Sequence, residues 1–138
     1  MKAYHLSLAA ADAHQRKHGF APILLPASRR NTTDKPKRGM NQTEKEFSKY
    51  LDALIVRGEI DGWLFEPIAL KLADGCWYRP DFMSWVEIPN GYRMTIYEVK
   101  GGYIWDDSKV KFKVAKEHTK WAEFQMWQKS SGRWARIA

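Results

Sequence analysis

Two short stretches hold residues able to do chemistry: Asp81 in "RPDFMSW", and Glu98 and Lys100 in "YEVKGG". Side chains two apart in a strand share a face, so Glu98 and Lys100 stand side by side beyond Met94 and Ile96. Taken alone, the pair reads as a solvated ion pair at a strand end, which is common and inexpensive. Asp81 follows Pro80 within an aromatic and apolar run, where proline marks an edge or a bulge that re-aims a side chain; the plainer alternative is an aspartate in a turn. If the two stretches are neighbouring strands, Asp81 comes beside Glu98. Adjacent carboxylates repel and resist joint ionisation unless a cation lies between them. Oxygen donors of this kind suit magnesium or manganese, with the remaining positions left to water and substrate phosphate.

The elements that must position these groups follow from periodicity. Phe47, Tyr50, Leu51, Leu54 and Ile55 recur at helical spacing and predict an amphipathic helix, with Gly58 at its C-terminus and Thr43 with Glu46 as a capping box. At 100° per residue, Glu44 borders the apolar stripe and Glu46 lies away from it. Three β-type runs follow, at 63–72, 76–87 and 92–100. They are joined by "ADG" and "PNG", whose Asp-Gly and Asn-Gly pairs supply tight hairpins, so an antiparallel meander is expected. Residues 107–120 alternate like a strand over "KVKFKV", but length and register favour a helix. That helix would carry Lys109, Lys113, Lys116 and Lys120 in one stripe and Val110, Val114, His118 and Trp121 in another, with Phe112 in neither. A last strand at 122–128 completes an α/β fold with the order αβββαβ and one mixed sheet flanked by helices.

Size and composition bound the rest. A chain of 138 residues with 44% hydrophobic and 28% charged residues fits one folded domain with a real core. Cys76 is the only cysteine and the four histidines lack ligand spacing, which excludes a disulfide framework and a cysteine-cluster zinc site. No run spans a bilayer, and His5 and Asp12 interrupt the only signal-like stretch, so a cytoplasmic protein without a membrane partner is expected. The net charge of +7 is uneven: residues 1–40 carry +6, residues 41–100 carry −3 and residues 101–138 carry +4. Basic ends of this kind attract phosphate strands, and an acidic middle is suited to a metal ion, although basic tails are also often mere solubilising chain. Residues 25–39, "LPASRRNTTDKPKRG", read as a linker. Residues 1–40 therefore form a basic arm to which no chemistry is assigned, and the compact domain runs from 41 to 138.

"PD" at 80–81 followed by "EVK" at 98–100, with Glu44 on a preceding helix, resembles the PD-(D/E)XK nuclease superfamily, across about residues 41–128. The likeness is greatest to small phage and archaeal nucleases of the junction-resolvase and repair type. It implies a restriction-endonuclease-like αβββαβ core and a metal-dependent DNA endonuclease that hydrolyses phosphodiester bonds, in phage DNA processing, recombination or repair. The resemblance gives Asp81 and Glu98 the role of ligands to Mg2+, with Mn2+ as substitute, and makes the Val99 carbonyl a third. Lys100 would orient or deprotonate the attacking water and offset charge growing on phosphorus. Glu44 would be the first-helix acid of the site, with Glu66 in "WLFEP" as its rival. DNA is the expected partner, with a homodimer left open, and the stripe Lys109, Lys113, Lys116, Lys120 would hold flanking phosphates unless it is simply a solvated face. Most of the seven Trp should be core. Tyr103 and Trp105, just after Gly101 and Gly102, fit a base-stacking loop and a packed connection equally well. The rival function is a nucleic-acid-binding module of the same fold without cleavage activity. A third reading, a protein-binding factor with a basic tail, would be indifferent to nucleic acid.

Overall fold

The computed structural model describes residues 38–138, so the expectations for the arm up to residue 37 lie outside the described residues. The helix α1, Gln42–Val56, forms where its apolar spacing predicts. Its capping box, however, is Asn41 with Glu44 and not Thr43 with Glu46: the Asn41 side chain accepts from the Glu44 N–H at 2.9 Å, and Glu44 Oε2 accepts from the Asn41 N–H at 2.8 Å. Glu46 is instead ion-paired with Lys129. At the far end, Gly58 takes φ 74 just beyond the Arg57 cap, a left-handed conformation that glycine adopts without steric cost.

Strands β1 (Gly62–Phe65), β4 (Phe82–Ile88) and β5 (Gly91–Lys100) form the expected antiparallel neighbours. Between β1 and β4 the chain departs from the simple meander. The predicted runs 63–72 and 76–87 each break, and the pieces β2 (Leu70–Ala73) and β3 (Cys76–Tyr78) pair only with each other in a separate small sheet. Prolines explain both breaks. Pro67 and Pro80 lack the N–H that a continuing ladder needs, and Glu66 takes φ 43, which turns the chain out of β1. The "ADG" turn therefore closes this inserted hairpin, while "PNG" closes the β4–β5 hairpin, with Ile88 opposite Gly91.

Helix α2 spans Asp106–His118, and β6 (Ala122–Ser130) returns parallel to β5. A further strand, β7 (Arg133–Arg136), which the sequence reading did not anticipate, adds antiparallel to β6. The main sheet is mixed and five-stranded, in the order β1-β4-β5-β6-β7. One face carries the α1 core of Phe47, Leu51, Trp63, Phe82, Tyr97 and Val99; the other carries the α2 core of Tyr78, Ile96, Phe112, Ala115, Phe124 and Met126. Phe47 meets the rings of Phe82, Tyr97 and Trp134 at 5.6, 5.6 and 5.1 Å, but the expectation that most of the Trp are core is corrected: only Trp63 is buried, Trp85, Trp127 and Trp134 are half-buried, and Trp77, Trp105 and Trp121 are exposed. The apolar stripe expected on α2 is corrected. Phe112 and Ala115 face inward, whereas Val110, His118 and Trp121 are exposed, because the helix packs through the register of Phe112.

Candidate functional site

Asp81 lies immediately before β4, and Glu98 and Lys100 lie at the end of β5. Phe82 pairs with Tyr97, so the register carries Asp81 to the flank of Glu98 where the two strands part. Asp81 Oδ2 accepts a 2.7 Å hydrogen bond from the Val99 N–H, which fixes its carboxylate at the end of the ladder. Alternation along β5 sends Val99 toward the α1 core and leaves Glu98 and Lys100 on the opposite face, with Lys100 Nζ 2.6 Å from Glu98 Oε1. The pair is far from a loose surface contact, since Glu98 is only 7% exposed. Its second oxygen accepts from the Tyr78 hydroxyl at 2.9 Å. Burial, and then the Glu98 charge, raise the Tyr78 hydroxyl well above its ordinary range, so it remains a donor.

The electrostatic cost of this arrangement appears at Asp81. Its carboxyl is pushed up to about 7, first by burial and then by the Glu98 carboxylate, against the opposing effects of the Val99 N–H and Lys100. A cation beside both acids would remove that cost, and the hard oxygen donors of Asp81 and Glu98 match magnesium or manganese.

The other acids approach from the α1 side. Glu44 is 3% exposed at the first turn of α1, and Glu66 stands at the end of β1, where its N–H donates to the Asp81 carbonyl at 2.8 Å. The two rivals for the site therefore lie together: Arg38 donates to Glu44 at 2.8 and 3.0 Å and pairs with Glu66 at 2.9 Å. Its guanidinium lies 5.7 Å from the centre of the Phe65 ring, and its charge is felt at Asp81. The neighbouring acids hold Arg38 above its already high ordinary range. Sequence reasoning missed Arg38 by placing it in an arm without chemistry, and gave Tyr78 no role at the site. The signal for Arg38 was a basic residue six positions before a helical glutamate; nothing local points from Tyr78 to Glu98, twenty residues away.

The approach of α1 depends on Gly101. A Cβ there would meet Thr43 Oγ1 at 2.6 Å, so only glycine lets the end of β5 pass the first turn that carries Glu44. Among the described residues no group of three or more His, Cys, Asp or Glu side chains is close enough to hold a metal ion; Arg38 instead bridges Glu44 and Glu66, and Lys100 pairs with Glu98.

Lys109, Lys113, Lys116 and Lys120 are all exposed, and they flank a groove of about 750 Å3 floored by Val110, Met126 and Ile137. A second cavity, of about 400 Å3, lies on the α1 side of the sheet among Tyr50, Ser84, Thr95 and Gln125. Neither is lined by Asp81, Glu98 or Lys100, which stand at the open end of the strands. No helix among the described residues is long and apolar enough to cross a membrane. Comparison of the chain with family models, curated proteins and solved structures returns no match.

Proposed function

We propose that this chain is a magnesium-dependent DNA endonuclease of the PD-(D/E)XK type, acting in DNA processing, recombination or repair. The observation that carries the reading is the meeting of Asp81 and Glu98 where β4 and β5 part, with Lys100 on the face of Glu98. Asp81, Glu98 and the Val99 carbonyl would hold the ion, and Glu44 or Glu66 would complete its surroundings once released from Arg38. When bound, magnesium or manganese would polarise a phosphodiester and balance the two carboxylates. Lys100 is the group with the chemistry to hold and deprotonate a water for attack, and to balance charge on the phosphate as it grows. Arg38, half exposed beside these acids, supplies a planar guanidinium suited to a phosphate.

A second reading, a nucleic-acid-binding module without cleavage activity, is favoured by one observation. Arg38, Lys100 and Tyr78 already partner Glu44, Glu66 and Glu98, so the charge network closes within the protein. Incubation of the full chain with linear, nicked, branched and single-stranded DNA, in magnesium, manganese or EDTA, separates the two. Metal-dependent cleavage that Asp81→Asn abolishes is the expected result. DNA binding without cleavage in either metal would establish the module instead.

A further inference from the structure

The loop between β5 and α2 carries a feature that the proposed chemistry does not use. Tyr103 is 79% exposed and Trp105 is 72% exposed, while Ile104 between them is buried in the α2 core. The alternation fixes the geometry: Ile104 plugs inward and both flanking rings project outward. They touch each other in a T-shaped arrangement, centroids 5.3 Å apart and planes at 84°. The loop is held on both sides. Gln128 Nε2 donates to the Gly102 carbonyl at 2.7 Å, and the Trp105 carbonyl accepts from Ser108 N–H at 3.1 Å as α2 begins.

Exposing two large rings is unfavourable, and a planar partner is the natural way to cover them. The loop leads directly into α2; Asp106 and Asp107, just after Trp105, pair with Lys109 and Lys111, while Lys113, Lys116 and Lys120 further along the helix stand exposed. Exposed aromatic faces on a segment, residues 101–138, whose net charge is +4 suit a polyanion that carries π-faces of its own. Paired bases in a duplex have their faces already stacked, so only an unpaired strand offers them.

We propose that Tyr103 and Trp105 form a stacking platform for unpaired bases of a DNA strand. This inference deepens the nuclease reading by naming its substrate class: DNA with a single-stranded segment, such as a flap, bubble or branch, lying next to the scissile phosphate. It rests on that reading only for the cleavage step, because the platform itself would bind in the absence of metal.

The test is equilibrium binding of the full chain in EDTA to three fluorescent oligonucleotides of equal length: a single strand, its duplex, and a strand whose sugars are abasic. Wild type should prefer the single strand to the abasic strand. Tyr103→Ser and Trp105→Ser should each weaken single-strand binding on the order of tenfold and leave duplex and abasic binding within about twofold. Tyr103→Phe and Trp105→Phe keep a ring and should keep the affinity, which controls for disturbance of the loop. Equal binding of normal and abasic strands, or an equal loss on all three ligands in the serine variants, overturns the proposal. Single-strand preference in a protein that never cleaves DNA would refute the nuclease reading and leave the platform standing; metal-dependent cleavage without that preference would do the reverse.

Discussion

The acid-rich end of β5 and the lysine face of α2 use similar residues in opposite surroundings. At the end of β5, Glu98 and Glu44 are almost wholly buried and each has a fixed cationic partner, while Asp81, held only by the Val99 N–H, is displaced far from its ordinary titration range. On α2, Lys109 reaches Asp106 only at 3.4 Å, with both side chains more than half exposed, and its neighbours are bathed in solvent. Charge in water costs little and does little beyond long-range attraction, whereas charge removed from water demands a counter-charge of defined position. The first region is the one to which the proposed function assigns the reaction, and the second the one to which it assigns the grip on phosphate.

That contrast can be broken most directly at the acids. Asp81→Asn and Glu98→Gln each remove an anionic donor at nearly constant volume, and should reduce metal-dependent cleavage by roughly a hundredfold or more while DNA affinity persists. Full activity in either variant would remove the site assignment. Lys100→Ala should produce a loss of similar scale, on the order of a hundredfold, while calorimetry still detects metal binding. If metal binding disappears with the lysine, Lys100 holds the architecture of the site and takes no part in the reaction.

Arg38→Ala sharpens the comparison by withdrawing the counter-charge from Glu44. Because the guanidinium is half exposed and screened, the loss of stability in EDTA should be about 1 kcal/mol, below the several expected for a fully buried pair. Saturating magnesium should recover part of it, and urea melts with and without the ion will measure both; identical melts for variant and wild type would show that Glu44 does not need Arg38.

The Asp81 shift gives a pH dependence of definite sign. Between about pH 4 and pH 7 the folded carboxyl keeps a proton that a carboxyl at the ordinary value of 3.8 has released. The metal-free protein should therefore lose stability as pH rises through that window. Asp81→Asn should flatten the fall, and the difference between the two profiles should reach on the order of 1–3 kcal/mol at pH 8. Superimposable profiles would mean that neither burial nor the Glu98 charge displaces Asp81. The smallest effects belong to α2. Lys113→Ala and Lys116→Ala should each flatten the plot of log affinity against log salt by about 0.9 for duplex DNA and leave cleavage at saturation unchanged. An unaltered slope would make the stripe a solvated face.

Much of this contrast was legible in the chain. The spacing of Phe47, Leu51 and Leu54 located α1, and the alternation of "YRMTIYEVK" placed Glu98 and Lys100 together, because both signals depend on local periodicity. What escaped depended on the path of the chain through space. The hairpin β2–β3 hides inside two apparently continuous β runs, and only its excursion delivers Tyr78 to Glu98. Arg38 sits at the end of a polar, proline-containing stretch with no periodicity to mark it as part of the domain. On α2, a two-residue difference in which position faced the sheet was enough to exchange Val110 for Phe112 in the core.

The parallel pairing of β5 with β6 also bears on how the protein is born. Met94 to Lys100 find their second neighbour only in residues 122–128, across a crossover that includes all of α2. Antiparallel contacts within the β4–β5 hairpin form locally, but the other edge of β5 stays open until β6 has been synthesised and has swung back. The strand bearing Glu98 and Lys100 is thus sealed late. A chain still emerging from the ribosome carries most of its basic residues before it has a finished acidic centre, so, on the function proposed above, it would grip nucleic acid before it could cut it.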